Sequence, residues 1–159
     1  MTTQAPNAHI VLLQPEIPQN TGNIARTCAC TDCTLTVVDP LGFQLSERRM
    51  KRAGLDYWDD VFVERIPSTD EFFARLGDRR FFLFTGHAER SFADVAYEPG
   101  DYLVFGRESR GIDTDVLERY EDRCVRIPMA AGERSLNLAN SVAIAVYEVL
   151  RQTGYPHVG

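Results

Sequence analysis

The polar residues at the start of the last predicted helix are the first candidates for chemistry. Ser135, Asn137, Asn140 and Ser141 lie close together, and an apolar segment over residues 142–150 follows them. A helix that is apolar on every face is expected to be buried on nearly all sides. Buried hydroxyl and amide groups need hydrogen-bond partners. The pattern therefore indicates either a ligand site at the mouth of a core helix or a tightly packed backbone junction.

Three of the four cysteines, at positions 28, 30 and 33, form a second cluster with reactive side chains. Their spacing is C-x-C-x₂-C, and Cys124 is far away in the sequence. A structural zinc site uses four ligands, and its paired ligands are usually spaced C-x₂₋₄-C. Small thiols also pack well in apolar cores. The spacing favours buried thiols over a metal cluster, so no metal site is predicted.

Short apolar runs alternate with helical segments along the chain, which predicts one α/β domain. Its mainly parallel sheet is expected to be flanked by helices on both faces. The predicted strands cover residues 9–14, 34–39, 61–64, 80–85, 101–106 and 123–127. The predicted helices cover about 21–32 with Asn20 as N-cap, 70–76 with Thr69 or Asp70 as cap, 113–120, and a long terminal segment that ends near Gly154. The domain is expected over residues 9–156, after a flexible tail at 1–8.

Four loops follow strands of this predicted sheet, at the edge where α/β proteins bind their ligands. They come after Gln14, Phe84, Gly106 and Ile127. The segment from Gly106 to Gly111 lacks the Lys-Ser/Thr pair of a P-loop, and no Gly-x-Gly-x-x-Gly follows the first strand. Neither of those two phosphate-binding motifs is supported.

The charge of the chain limits how it can meet nucleic acid. A net charge of −6 over 159 residues argues against nonspecific binding through a bulk positive field. The one concentrated basic run contains Arg48, Arg49, Lys51 and Arg52. It is either a solvated helix face or, beside exposed Tyr57 and Trp58, an RNA-binding surface. Residues 1–8 lack a signal-peptide pattern and no apolar run spans a bilayer, so a cytoplasmic location without membrane contact is expected.

Three segments carry motifs in a recognisable order. They are Pro15–Arg26, Phe105–Gly111, and a third that joins Ile127–Met129 to Ser135–Asn140. In order and spacing they resemble the three motifs of the SPOUT-superfamily RNA 2′-O-methyltransferases. Within that superfamily, the segment Arg52–Trp58 is similar to the single-domain TrmL type, which methylates the wobble nucleotide of tRNA. The resemblance extends from His9 to Pro156.

The resemblance implies a deep C-terminal trefoil knot, a homodimer, and S-adenosylmethionine as methyl donor without a metal. The implied substrate is the anticodon stem-loop of tRNA, in leucine isoacceptors, methylated on the ribose of a wobble cytidine or uridine. The implied cofactor contacts are Phe84, Gly106, Ile127, Met129, Ser135, Leu136 and Asn140. The implied catalytic residues are Arg26, Glu108 and Asn20, and the implied RNA contacts are Arg48, Arg49, Lys51, Arg52 and Tyr147.

Several of these roles have alternatives that the residues leave open. A guanidinium stays protonated, so Arg26 is expected to bind the phosphate beside the target ribose rather than act as a base. It could instead form an ion pair with Glu16 or Glu108. Ser135 could cap the terminal helix rather than hold the nucleotide, and Tyr147 could be a core aromatic rather than an interface residue.

Two further alternatives concern the loop at Arg107 and the function itself. Arg107 stands where the TrmL type commonly has proline, which removes a rigid residue and adds an N–H and a charge. The substrate could be ribosomal RNA or another tRNA position instead of the wobble nucleotide. The chain could also be a module that binds RNA or adenosyl ligands without catalysis.

Overall fold

A six-stranded sheet, in which every neighbouring pair is parallel, forms the centre of the protein. The computed structural model describes residues 4–52 and 57–159, except for the side chains of Glu47 and Lys51. The strands are β1 (His9–Leu13), β2 (Thr34–Val38), β3 (Phe62–Ile66), β4 (Phe81–Phe84), β5 (Tyr102–Phe105) and β6 (Cys124–Val125). Their order across the sheet is β3-β2-β1-β5-β4-β6.

Helices cover both faces of this sheet, as the alternating pattern predicted. They are α1 (Pro18–Thr31), α2 (Glu47–Arg52), α3 (Trp58–Val61), α4 (Thr69–Leu76), α5 (Thr114–Arg119) and α6 (Leu138–Thr153). Side chains alternate along a strand, so Ile10 and Leu12 of β1 join the core beneath α1 and α6, while Val11 and Leu13 join the core beneath α4. The sheet is therefore buried on both sides.

The start of α1 corrects one sequence prediction. The helix begins at Pro18, and Ile17 rather than Asn20 occupies the cap position. Proline suits the first helical position because its missing N–H would have no partner within the helix. Asn20 lies in the first turn and is buried, so its side chain is available for contacts other than capping.

The predicted cap of α4 is also wrong, and the alternative role of Ser135 as the cap of α6 is not observed. Ser68 Oγ accepts the N–H of Glu71 at 3.1 Å, so it caps α4 in place of Thr69 or Asp70. Asn137 Oδ1 accepts the N–H of Asn140 at 3.2 Å, so it caps α6 in place of Ser135.

The terminal helix α6 is buried on one face only, which contradicts the expectation of burial on nearly all sides. Its inner face packs against α1 and β5. Ile144 and Tyr147 on the outer face are 40% and 49% exposed. The reason is the layered architecture, because a helix that covers a sheet keeps one side toward solvent. The apolar composition of that outer face is not explained by the core of a single chain.

Three of the four thiols are buried, as predicted, but Cys30 is exposed on α1. Burial raises the pKa of Cys28, and it raises the pKa of Cys33 to about 11. Burial also raises the pKa of Cys124. These three groups stay protonated near neutral pH and behave as small apolar side chains.

The segment before β1 takes part in the fold. Asn7 and Ala8 are buried, although the sequence placed them in the tail. Asn7 Nδ2 donates to the carbonyl oxygens of Thr31 and Pro156, both at 2.8 Å. These bonds join the start of the domain to the end of α1 and to the C-terminal segment.

Truncating a buried side chain of β5 tests the packing of this core. Leu103 of β5 is fully buried, so Leu103→Ala is expected to lower the free energy of unfolding by about 2–5 kcal/mol through lost apolar burial and a cavity. Val63→Ala, at a residue 55% exposed, is the matched control and should change it by less than about 0.5 kcal/mol. Urea denaturation measures both values. Equal losses in the two variants would contradict the assignment of the core.

Candidate functional site

The carboxyl ends of four adjacent strands, β1, β5, β4 and β6, open into one cleft of about 960 Å³. A volume of this order suits a small-molecule ligand. Its walls come from the segment after β1, residues 84–87 after β4, residues 105–112 after β5, and the chain between β6 and the first turn of α6. The structure thus brings together all four loops that the sequence singled out.

The cleft combines an apolar floor with a charged rim. The floor includes Phe84 and Phe105, whose rings stack with centroids 4.7 Å apart. Ile127, Met129 and Leu138 complete the apolar part of the lining. The charged residues of the lining are Arg107, Glu108, Arg110, Glu133 and Arg134. Such a cleft can hold a flat aromatic group against the floor and a polar or charged group at the rim.

Gly106 allows the loop after β5 to fold back on itself. A Cβ atom at this position would lie 2.1 Å from the carbonyl carbon of Gly111 and 2.3 Å from the backbone nitrogen of Ile112. The N–H of Gly111 also donates to the carbonyl oxygen of Arg107 at 2.8 Å. Any larger residue at position 106 would therefore displace the loop that forms one wall of the cleft.

Two carboxylates join the loops after β1 and β5 in a reciprocal arrangement. Glu108 accepts the backbone N–H groups of Glu16 and Ile17, at 2.8 and 3.1 Å. Glu16 in turn accepts the backbone N–H and the hydroxyl of Ser109, at 2.9 and 2.7 Å. Each carboxylate therefore satisfies donors on the opposite loop. These hydrogen bonds of Ser109 lower the pKa of Glu16.

Two asparagines extend this arrangement to the third motif. Asn137 Nδ2 donates to Asn20 Oδ1 at 3.1 Å, and Asn20 Nδ2 donates to Glu108 Oε1 at 3.4 Å. A chain of side-chain hydrogen bonds thus runs from the N-cap of α6, through the first turn of α1, to the loop after β5. All three motif segments are connected at the cleft.

Most of the predicted cofactor contacts lie in the cleft wall. Its lining includes Phe84, Gly106, Ile127, Met129, Ser135 and Leu136. Asn140 is exposed in the first turn of α6 and does not line the cleft. Among the predicted catalytic residues, Asn20 and Glu108 line the cleft and Arg26 does not.

Arg26 is exposed on α1 and forms no ion pair with the described residues. The alternative pairing with Glu16 or Glu108 is therefore wrong, since both carboxylates are occupied by donors of the loops. Six helical residues separate Asn20 from Arg26, which corresponds to about 9 Å along α1 and about 120° around it. Arg26 accordingly lies outside the lining of the cleft of its own chain.

The predicted RNA contacts lie on two different surfaces. Arg48, Arg49 and Arg52 are exposed on α2, and the side chain of Lys51 lies outside the described part of the structure. Tyr147 is on the outer face of α6. Trp58 is 3% exposed and stacks on Phe62 at 4.8 Å, so it cannot stack on a base, whereas Tyr57 is partly exposed.

Sequence reasoning did not assign several residues of the cleft. These are Thr85, Gly86, His87, Arg110, Glu133 and Arg134. Their positions directly after β4 and within the other motif loops are the sequence feature that could have assigned them to the cleft. The partnership between Glu16 and Ser109 was also missed, because 93 residues separate them and only the sheet brings their loops together.

The described residues form neither a metal-binding cluster nor a membrane-spanning helix. Among residues 4–52 and 57–159, no three His, Cys, Asp or Glu side chains come together in a way that could hold a metal ion. The same residues include no helix with the length and apolar character needed to cross a membrane.

Comparison with known proteins identifies the fold and the family. A SpoU methyltransferase from Streptomyces viridochromogenes, AviRb, solved with the cofactor AdoMet, has the same fold at a TM-score of 0.78 and 22% identity. The match covers 96% of this chain and 60% of that chain. The chain itself belongs to the SpoU rRNA Methylase family, whose profile matches residues 7–147.

More similar proteins are known within this family. The chain is 47% identical over 148 residues to a protein of Aeromonas hydrophila named tRNA (cytidine(34)-2′-O)-methyltransferase, and the match covers 92% of this chain and 94% of that one. A solved structure described as giving insights into 2-OH methylation of C/U34 on tRNA is 46% identical, with a TM-score of 0.85. It matches over 92% of this chain and 96% of that chain.

The Glu16–Ser109 contact predicts a pH dependence. Because hydrogen bonds to the ionised carboxylate lower the pKa of Glu16 from its ordinary 4.5, they stabilise the fold above that pH. This stabilisation is lost as the pH falls through the lowered folded-state pKa. Ser109→Ala should therefore raise the pKa of Glu16 toward 4.5, as measured by an NMR titration of its side-chain carboxyl.

Ser141→Ala is the matched control for that titration, because Ser141 also lines the cleft but, among the described residues, makes no side-chain hydrogen bond to Glu16. It should leave the pKa of Glu16 unchanged. An unshifted pKa in the Ser109 variant would show that the two loops are not joined through this carboxylate.

Proposed function

We propose that this protein transfers a methyl group from S-adenosylmethionine to the ribose 2′-hydroxyl of cytidine or uridine 34, the wobble nucleotide of tRNA. The observation that carries the proposal is the hydrogen-bonded chain Asn137–Asn20–Glu108, which assembles the three motif loops around one cleft. Support for nucleotide 34 comes from relatives that match nearly the whole chain and are named for that position. That similarity favours tRNA over ribosomal RNA, although the family as a whole is named for rRNA. Leucine isoacceptors in the cytoplasm are the proposed substrates.

The lining of the cleft supports S-adenosylmethionine as the cofactor. Phe84, Ile127 and Met129 provide an apolar surface for the adenine ring. Gly106, which has no side chain, permits close approach of the backbone, and Ser135 and Leu136 form the opposite wall. When bound, the cofactor supplies an electrophilic methyl group on a sulfonium. The residues of the chain orient the two reactants and exclude water, and orientation alone can supply several kcal/mol of the barrier reduction.

Arg26 is the proposed catalytic residue. Its guanidinium is exposed and free of ion pairs with the described residues, so it can bind an RNA phosphate beside the target ribose. A positive charge at that phosphate favours ionisation of the neighbouring 2′-hydroxyl. Glu108 and Asn20 act instead as positioning residues, because their polar atoms already bind the loops.

A homodimer is proposed because Arg26 does not line the cleft of its own chain. A second copy would supply its arginine to this cleft, which makes each site composite. The outer face of α6, with Ile144 and Tyr147, is an apolar surface suited to this interface. The exposed arginines of α2 would then contact phosphates of the tRNA anticodon stem-loop.

The C-terminal trefoil knot of the superfamily is proposed for this chain as well. The chain leaves β6 at one edge of the sheet and returns to α6, which packs against α1 and β5 nearer the centre. On the way, Asn137 bonds to Asn20 beside the loop of residues 106–111. This return of the chain to the side of that loop supports the proposal.

Methyl transfer to tRNA tests the proposed reaction. The wild-type protein should transfer a labelled methyl group from S-adenosylmethionine to unfractionated tRNA, and nucleotide mapping should place it at position 34. Arg26→Ala should reduce the rate at least about a hundredfold with little change in cofactor affinity, because the residue lies outside the cofactor cleft. Arg119→Ala, at an exposed arginine of α5, is the matched control and should retain full activity. Transfer to rRNA alone, or equal loss of rate and cofactor binding in the Arg26 variant, would contradict the proposal.

Complementation between two inactive variants tests the composite site. Gly86→Trp should block the cleft that Gly86 lines. A Cβ atom at this position would meet no atom closer than Met129 Cε, at 3.9 Å, so the larger side chain has room to enter the cleft. Co-expression of this variant with Arg26→Ala should restore about a quarter of wild-type activity, since about half the dimers are mixed and each has one complete site. Light scattering should show a dimer for each protein. No recovery in mixed dimers would show that each site belongs to a single chain.

A further inference from the structure

Arg107 is the residue of the cleft that departs from the TrmL type, where proline is common. Its side chain is only 20% exposed and lines the cleft. Its Nη2 donates to the carboxylate of Asp113, the residue before α5, and this pair fixes the orientation of the guanidinium. Its Nε is buried and has no hydrogen-bond partner among the described residues.

A buried guanidinium donor without a partner is costly, because it has lost its hydration and gained nothing in return. An oxyanion relieves this cost best, since a charge-assisted hydrogen bond is about twice as strong as a neutral one. In this cleft the oxyanion could be the carboxylate of the cofactor or a phosphate of RNA. The position of Arg107 within the rim distinguishes the two.

We propose that Arg107 binds the carboxylate of the amino-acid part of S-adenosylmethionine through its Nε–H. This inference rests on the proposed function and names a cofactor contact that a proline at this position cannot make. Arg107 is less exposed than Arg110 and Arg134, the other two arginines of the rim, so a small ligand inside the cleft reaches it more readily than a tRNA does. Glu133 on the same rim favours a zwitterion, because its carboxylate attracts an ammonium group and repels a phosphate.

Binding of two cofactor forms to four proteins tests this assignment. Isothermal titration calorimetry would compare S-adenosylmethionine with decarboxylated S-adenosylmethionine, which lacks only the carboxylate. Arg107→Ala and Arg107→Pro should each bind S-adenosylmethionine about tenfold more weakly than the wild type. Both should bind the decarboxylated form as the wild type does. Arg119→Ala, the surface control, should match the wild type with both ligands.

The proline variant separates hydrogen bonding from loop rigidity. Proline keeps the loop stiff without a guanidinium, so wild-type affinity in Arg107→Pro would overturn the inference in favour of a mechanical role. Equal weakening of the binding of both cofactor forms would also overturn the inference, because the lost contact would then not involve the carboxylate. Unchanged affinity for both cofactor forms, together with weaker tRNA binding by the same variants in a filter-binding assay, would assign Arg107 to a phosphate instead. If the wild type binds neither cofactor form, the proposed function fails. If the wild type and the Arg107 variants bind both forms equally well, only the inference about Arg107 fails.

Discussion

The site depends on the carboxylate of Glu108, which accepts the two backbone N–H groups that lead into α1. The backbone N–H groups at the start of a helix have no partner within it, and leaving them unpaired away from water is costly. The acceptor comes from a loop 91 and 92 residues further along the chain. One side chain thereby fixes where α1 begins relative to β5. Glu16 repeats the arrangement in the opposite direction, so the two loops hold each other in place.

The parallel sheet explains why these loops meet at all. In parallel strands every carboxyl end lies at the same edge, and the order β1-β5-β4-β6 sets four such ends side by side. The apolar rings of Phe84 and Phe105 end their strands as the floor of the cleft, while the residues just beyond them carry polar groups. The transition from buried strand to polar loop therefore produces both parts of the ligand site.

The exposed faces of α1 and α6 are the part of the structure that a single chain does not explain. Arg26 on α1 and Tyr147 on α6 both point away from the core, and Ile144 adds apolar surface beside Tyr147. Exposed apolar groups on a helix that already packs well on its inner face indicate a second contact surface. A composite site in a dimer uses these residues, and it reconciles the motif position of Arg26 with its absence from the cleft wall.

The hydrophobic pattern was sufficient to predict the sheet, because runs such as residues 9–13 and 102–105 are apolar on both faces and strands of that kind must be covered on both sides. It also determined which loops meet, since their motifs follow those strands. Local pattern could not determine that Asn137 bonds to Asn20, that Asn20 bonds to Glu108, or that α6 keeps an exposed apolar face. Those outcomes depend on distances between residues that are far apart in the chain. They follow from the packing of the folded chain, because a side chain takes the partner that packing places nearest, and the spacing of residue types does not contain that information.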